Sequence, residues 1–250
     1  MKIVKPNVTF VHSTPNPERV IERMGRICYQ SDHKVKVCEN CGGKGRIKDP
    51  GKGALSPYEM ACFHCAGTGT DISSAIAFVK KIIANGHESV IEHASAGFSI
   101  ITDRGVTHEI VRHRLASFSQ ESTRFCGYDG ERFGNELTFI EPPGLSTEPN
   151  ADAFSGAPLP SCRELWLAGI AMTEQTYKLL RQEDVRPEIA RSVLPNSLKA
   201  EIGMTANFRE WRHFLRLRTS PKAHPQMREV AEMLRAELMK LSRVCFEDIL

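Results

Sequence analysis

Two CxxC pairs in the first third of the chain restrict the local fold more than any other feature of the sequence. They are Cys38-Glu-Asn-Cys41 and Cys62-Phe-His-Cys65, with twenty residues between them. Two such pairs at this separation are typical of a zinc site with four thiolate ligands. A Gly-x-Gly sequence follows soon after each pair and allows the backbone amides to turn back toward the sulfurs. We therefore predict that these four cysteines bind zinc, with a redox dithiol as the alternative.

The segment around these cysteines, roughly 33–70, is rich in glycine and lysine and poor in large apolar residues. It cannot bury a core of its own, so a bound metal is expected to order it. Each half is similar to the CxxCxGxG repeat of the DnaJ-type chaperone zinc domain. A structural role is one interpretation of the segment, and contact with nucleic acid or protein is the other. His64, inside the second pair, is expected to face solvent.

Charge and hydropathy exclude several classes of protein. The 250 residues carry a net charge of +3 and have a pI of about 8.4, which is too mild to indicate a nucleic-acid partner. No apolar run is long enough to span a membrane, and the N-terminus lacks the apolar region of a secretion signal. Because paired cysteines of this kind indicate a reducing compartment, we expect a soluble, cytoplasmic protein. The other cysteines are isolated, as core thiols, surface thiols or a catalytic nucleophile would be: Cys28, Cys126, Cys162 and Cys245.

A second unusual stretch, RHRLASFSQESTR at 112–124, combines basic, hydroxyl and amide side chains that do not suit a dry core. Guanidinium groups bind phosphate or the edge of a base through two parallel hydrogen bonds. If 107–116 is helical, Arg112 to Arg114 point in different directions and cannot enter one pocket, which favours a site shared between subunits. If the chain is extended after Ser117, then Gln120, Ser122 and Arg124 share one face suited to a nucleotide monophosphate. A solvated basic helix end is the alternative.

The order Arg-His-Arg, seven residues, then Ser122 resembles the signature of the flavin-dependent thymidylate synthases, the ThyX family. Further blocks resemble that family in the same order and cover nearly the whole chain outside the cysteine segment: GRICYQS (25–31), GHESVIEH (86–93), RPEIARSVLPN (186–196) and the N-x-R segment within 205–218. The resemblance implies a catalytic domain over 1–250 that carries the zinc module, 34–70, as an insertion.

The resemblance also implies the fold and the reaction. The expected fold is α/β (α+β), a twisted sheet with surrounding helices, assembled as a homotetramer with shared active sites. The expected reaction converts dUMP to dTMP. Methylenetetrahydrofolate supplies the one-carbon unit and NADPH reduces bound FAD, so the flavin performs the redox chemistry and the protein supplies placement and electrostatics.

The resemblance assigns roles residue by residue. The expected FAD contacts are His87, Ser89, Arg112, His113, Arg114, Gln120, Asn207, Arg209 and His213, with His87 and Ser89 also near the folate. The expected dUMP contacts are Glu109, Arg112, Gln120, Ser122, Thr123, Arg124, Arg191 and Arg218. Arg218 is the expected catalytic residue and faces the uracil.

Glu109 departs from the family pattern, because several relatives are expected to have glutamine there. A carboxylate donates a hydrogen bond only when it is protonated, so Glu109 could instead pair with Arg112 or His113 at helical spacing. Two alternatives to the family function are a non-catalytic zinc-module protein that binds RNA or protein, and a folate-only synthase with a cysteine nucleophile such as Cys126.

Hydrophobic periodicity predicts several helices and the faces that they bury. A helix over 16–29 is expected to place Val20, Met24 and Ile27 on one side. A long helix over 162–181 is expected to bury its leucines and methionine: Leu165, Met172, Leu179 and Leu180.

Overall fold

Helices and strands are interspersed along the chain, which confirms the predicted mixed fold class. The computed structural model describes residues 1–49, 59–128, 130, 134–152 and 157–249. The strands are β1 (Lys2–Val4), β2 (Asn7–Ser13), β3 (Arg46–Lys48), β4 (Glu59–Ala61), β5 (Ser95–Asp103), β6 (Ala116–Gln120), β7 (Thr138–Ile140), β8 (Asn150–Ala151), β9 (Pro158–Leu159) and β10 (Lys199–Asn207). The helices are α1 (Pro17–Ile27), α2 (Ile72–Ala84), α3 (Arg104–Ile110), α4 (Cys162–Gln182), α5 (Pro187–Ala190), α6 (Phe208–Arg218), α7 (Pro225–Leu241) and α8 (Arg243–Phe246). None of these described helices has the length and apolar character needed to cross a membrane.

Most strand residues belong to one four-stranded sheet with the order β2-β5-β10-β6. Strand β1 pairs in parallel with β7, so that Ile3 lies opposite Phe139. Two short antiparallel pairs, β3 with β4 and β8 with β9, lie outside the main sheet. The neighbours β5 and β10 bring residues about a hundred positions apart together, as in the 2.6 Å hydrogen bond from Ser99 Oγ to Glu201 Oε1.

The chain divides into two compact units. Unit 1 consists of Met1–Val11, Gly97–Thr205 and Phe214–Leu234. Unit 2 consists of His12–Ala96, Ala206–His213 and Arg235–Leu250.

In unit 1, the helix α4 packs on a core that includes Phe139, Ile170 and Tyr177. The helix begins at a capping box, in which Ser161 Oγ accepts from the Glu164 amide and the Glu164 carboxylate accepts from the Ser161 amide. The predicted buried face was wrong for three of its four residues, because Leu165, Met172 and Leu179 are each more than half exposed. The helix instead directs Trp166, Leu167, Ile170, Tyr177 and Leu180 toward the core.

In unit 2, α1 packs against α2 through a face that contains both apolar and charged residues. Glu22 and Arg26 are buried, and Glu22 Oε1 accepts hydrogen bonds from Arg26 (2.6 and 2.9 Å) and from Ser74 Oγ (2.6 Å). A Cβ atom on Gly25 would lie 2.6 Å from the ring of Phe78, so glycine permits this close approach. The apolar side predicted from the sequence is only partly buried, since Ile27 is half exposed while the polar pair is inside.

Candidate active site and metal site

The four paired cysteines meet in one buried cluster in unit 2, and the β3-β4 pairing draws the two CxxC segments together. All four Sγ atoms lie within 4.8 Å of one another. Cys38 and Cys62 have their sulfurs 3.9 Å apart, and Cys41 and Cys65 have theirs 3.8 Å apart. Four thiolates around a zinc ion at about 2.3 Å are separated by about 3.8 Å, whereas a disulfide needs about 2.05 Å. The cluster therefore has the dimensions of a tetrahedral metal site.

Backbone and side-chain donors surround these sulfurs. The Gly45 amide donates to Cys41 Sγ (3.3 Å) and the Gly69 amide donates to Cys65 Sγ (3.2 Å), as the Gly-x-Gly pattern predicts. Both glycines have positive φ, and a Cβ on either would lie 2.3 Å from a carbonyl oxygen of the opposite loop. Asn40 donates to Cys62 Sγ (3.4 Å) and lowers the pKa of the Cys62 thiol to about 6, which favours a thiolate at neutral pH.

An aromatic pair lies on the surface of the loop that carries the second pair of cysteines. His64 is exposed as predicted, and its ring lies against Phe63 with the ring centroids 4.6 Å apart. Phe63 is 66% exposed, so the pair lies on the outside of the loop rather than in the cysteine cluster.

The Arg-His-Arg stretch lies in unit 1, directly after a short helix. The helix α3 ends at Ile110, so the conditional helix over 107–116 was wrong, and Arg112 to Arg114 form a turn. His113 is 4% exposed and packs against Phe214, with ring centroids 4.7 Å apart. Arg112 and Arg114 on either side of it are exposed. The predicted divergence of the three side chains therefore holds, although it arises from a turn rather than from a helix.

Arg218 is held by Glu109, which precedes that turn, and by His113 within it. It donates from Nη1 to Glu109 Oε2 (2.6 Å), from Nη2 to the Glu109 carbonyl oxygen (3.1 Å) and from Nε to His113 Nε2 (3.1 Å). Because a guanidinium only donates, Nε2 of His113 is the acceptor and the proton of the neutral ring lies on Nδ1. Glu109 thus pairs with Arg218, a partner that helical spacing within the segment did not predict.

The predicted phosphate ligands form a separate polar group within unit 1. Gln120 ends β6 and donates to Thr107 Oγ1 (3.0 Å). Beyond it the chain turns, with the Arg124 amide donating to Ser122 Oγ (3.3 Å), so the expected single extended face was wrong. Arg191 donates to Thr123 Oγ1 (3.1 Å). Hydroxyls and two exposed guanidinium groups in one region suit a phosphate.

The remaining predicted FAD ligands belong to unit 2. His87 and Ser89 are exposed at the start of a short 3-10 helix, and His213 is exposed on α6. Asn207 Oδ1 accepts from the Glu210 amide (2.8 Å) and caps α6, which leaves its amide nitrogen as a donor. Arg209 Nη1 donates to Glu92 Oε1 (2.6 Å) and is 53% exposed on its side chain.

The sequence analysis missed Arg212, which is fully buried in unit 2. Its guanidinium donates to Glu88 Oε1 (3.1 Å) and to both carboxylate oxygens of Asp248 (2.6 and 2.7 Å). Glu88 lies between the predicted ligands His87 and Ser89, so Arg212 fixes the segment that presents them. The signal available in the sequence was the charge of Glu88 inside the GHES block, which needs a buried or nearby partner.

Comparison with known proteins identifies the chain. Residues 9–242 match the family model described as thymidylate synthase complementing protein. A flavin-dependent thymidylate synthase of Mycobacterium avium is 34% identical over 254 residues, covering 98% of this chain and 85% of the relative. One of Geobacter sulfurreducens is 31% identical over 231 residues, covering 91% of this chain and 80% of the relative.

Two solved structures share the fold. ThyX from Helicobacter pylori, a flavin-dependent thymidylate synthase complexed with FAD and dUMP, has a TM-score of 0.63 at 21% identity, covering 98% of this chain and 99% of that chain. The UMP/dUMP methylase PolB from Streptomyces cacaoi, bound with 5-Br dUMP, has a TM-score of 0.65 at 22% identity, covering 99% and 96%.

Fold and family model together define a thymidylate synthase that uses a flavin, as the sequence motifs predict. The chain belongs to the family of flavin-dependent thymidylate synthases. The family match favours this enzyme over both alternatives, the non-catalytic binding protein and the cysteine-nucleophile synthase. Among the isolated cysteines, Cys126 is the closest in sequence to the predicted phosphate-binding residues. It is half-buried against the hydrophobic core of unit 1.

Proposed function

We propose that the enzyme converts dUMP to dTMP by reductive methylation, with methylenetetrahydrofolate as one-carbon donor and NADPH as the reductant of FAD. The observation that carries this proposal is the attachment of Arg218 to Glu109 and His113 beside the exposed Arg112 and Arg114. A guanidinium held by three hydrogen bonds is a fixed positive charge, which is what a reaction that develops negative charge on a uracil ring needs.

The nucleotide phosphate is proposed to bind the polar residues that follow β6 in the sequence, together with Arg191. Ser122 and Thr123 offer hydroxyls, while Arg124 and Arg191 offer guanidinium groups that are exposed to solvent. Thr123 and Arg191 are already in contact, so an arriving phosphate meets a donor pair in one region rather than two separate side chains. Gln120, at the end of β6, is proposed to contact both nucleotide and flavin.

The residues available for FAD fit an anionic cofactor. Arg112 and Arg114 are exposed, and among the residues that the structure describes neither side chain has an ion pair or a hydrogen bond. Two uncommitted guanidinium groups beside the buried His113 suit the pyrophosphate of a dinucleotide. His87, Ser89, Asn207, Arg209 and His213 complete the proposed FAD contacts. When bound, FAD would accept electrons from NADPH and deliver them to the one-carbon unit.

Arg218 is proposed to act on the uracil itself. Pushing electron density toward C5 leaves negative charge near N3 and its neighbouring carbonyl. Of the five N–H groups of Arg218, three have partners among the residues that the structure describes, which leaves one hydrogen on each terminal nitrogen for the ring. Because the guanidinium keeps its own proton at any relevant pH, it stabilises this charge without transferring a proton.

The cysteine cluster is proposed to hold one structural zinc ion, and the segment 34–70 is proposed to be an insertion in the catalytic domain. The tetrahedral spacing of the four sulfurs and the amide donors from Gly45 and Gly69 support the metal. Reduced cysteines arranged for metal also support a cytoplasmic location.

The enzyme is proposed to be a homotetramer whose active sites draw on more than one chain. Arg112 and Arg114 are exposed, whereas His113 between them in the sequence is buried. Leu115 and Phe125, close to them in the sequence, are 74% and 82% exposed, which is unusual for large apolar side chains beside a binding site. A neighbouring chain that covers them would bury this apolar surface.

Formation of dTMP tests the proposed function. Purified protein would be supplied with dUMP, methylenetetrahydrofolate, NADPH and FAD, and each component would be omitted in turn. We expect dTMP only in the complete mixture. Product formed without FAD by FAD-free protein, or no product in the complete mixture, would refute the proposal.

A further inference from the structure

Glu109 is the residue in unit 1 whose role the proposed function leaves open. It holds Arg218 twice, through its side chain at 2.6 Å and through its own carbonyl oxygen at 3.1 Å. The Arg218 side chain is 19% exposed and the Glu109 side chain 38% exposed, so the pair is partly shielded from water. A charge-assisted hydrogen bond of this length in a partly shielded place orients both partners.

These contacts determine the direction of the guanidinium. Arginine has several rotatable bonds, and holding it in one geometry costs side-chain entropy. His113 accepts a hydrogen bond only from Nε. With this contact alone, the two terminal nitrogens of Arg218 could still move. Glu109 contacts both terminal nitrogens, so it sets the plane of the fork and the direction of the two hydrogens that have no partner.

Direct binding of dUMP by the Glu109 carboxylate is the competing role, and the charges disfavour it. An ionised carboxylate accepts hydrogen bonds but cannot donate them. It would repel the nucleotide phosphate and any negative charge that develops on the uracil. Contact through Arg218 avoids this repulsion, because the guanidinium neutralises the carboxylate and is itself attracted to negative charge on the substrate.

We infer that Glu109 is a positioning residue for Arg218, acting on the reaction through the guanidinium rather than through the substrate. This inference rests on the proposed role of Arg218. It predicts that loss of Glu109 lowers kcat while leaving the affinities for dUMP and FAD nearly unchanged. A misplacement of about 1 Å in a catalytic group can cost about 10²-fold in rate.

A double-mutant cycle tests the inference with dTMP formation as the readout. E109A is expected to lower kcat by about 10²-fold, with KM for dUMP changing by less than about threefold, well below one tenfold step of 1.4 kcal/mol. The double variant E109A/R218A is expected to be no slower than R218A alone, because a residue that acts only through Arg218 has nothing left to position. E109Q, which keeps an acceptor oxygen and the shape of the side chain, should lose less activity than E109A and be equally non-additive with R218A.

The control is E141A. Glu141 forms an ion pair with Arg163 through two hydrogen bonds of similar length (2.7 and 3.0 Å) that share no residue with the contacts of Arg218, and its loss should leave kcat unchanged. Two results would overturn the inference in an enzyme that still makes dTMP. One is a double variant whose loss equals the product of the two single losses. The other is an E109A enzyme with wild-type kcat, or with a raised KM as its main defect. Either result would leave the proposed function standing.

Discussion

At the scale of single residues, Arg218 is the side chain to which we assign the central role in the proposed reaction. Its three contacts with described residues come from Glu109 and His113, which lie within five consecutive residues, so one short segment holds the charge in place. The neutral His113 contributes by accepting from Nε, which requires its proton on Nδ1. In the proposed function, this fixed guanidinium offers two directed donors to the uracil.

Replacement of Arg218 therefore separates flavin chemistry from methyl transfer. Arg218→Ala should still bind FAD and consume NADPH with oxygen as acceptor, but it should form dTMP about 10²–10³-fold more slowly. Arg218→Lys should recover little, because an ammonium keeps the charge without the planar fork. NADPH oxidation and dTMP formation would be measured side by side, with Arg163→Ala as the surface control. A near wild-type rate of dTMP formation by Arg218→Ala at saturating dUMP would show that the assignment is wrong.

The partner of Arg218 could not be read from the sequence. The two residues of the ion pair are 109 positions apart. Helical spacing indicated Arg112 or His113 as possible partners of Glu109 instead. Local patterns identify which side chains are polar and close in sequence, but the pairing here depends on where α6 ends relative to α3. The family resemblance does predict that both residues belong to the site.

At the scale of elements, sequence periodicity located the helices but not always their buried faces. The bounds of α1 and α4 agree with the prediction to within about two residues, which is the usual uncertainty at helix ends. The faces differ because α1 buries the Glu22–Arg26 pair, whose charges cancel, and because α4 leaves Leu165 and Met172 on the surface. Neither effect can be predicted from the positions of the apolar residues alone.

The zinc module is the element with the sharpest prediction from sequence alone, since ligand spacing is a local property. Protein purified without chelator should contain one zinc ion per chain by elemental analysis. The double variant Cys38→Ser with Cys62→Ser should lose the metal and become more susceptible to proteolysis within 34–70, because metal coordination replaces the missing hydrophobic core. FAD should remain bound.

A cysteine outside the cluster provides the control for that experiment. Cys28 is exposed, so Cys28→Ser should retain zinc and resistance to proteolysis. Absence of zinc from the unmodified protein would contradict the metal assignment. Loss of the tetramer in the double variant would show that the module has a wider structural role than a local one.

At the scale of the whole molecule, the exposed arginines and apolar side chains around the site predict an assembly. Light scattering should give four times the 27.9 kDa mass of one chain. Activity should fall together with the tetramer on dilution, because each site would draw on more than one chain. A monomer that forms dTMP at the full rate would contradict the shared site.

The central claim is that a flavin held by this chain carries electrons into the product, and an anaerobic absorption spectrum tests it most directly. The FAD-loaded protein would be reduced with NADPH, which bleaches the bands of the oxidised flavin, and dUMP and methylenetetrahydrofolate would then be added together. We predict that the oxidised flavin bands return in proportion to the dTMP formed. Failure to bind FAD, or bands that stay bleached while dTMP accumulates, would contradict the account.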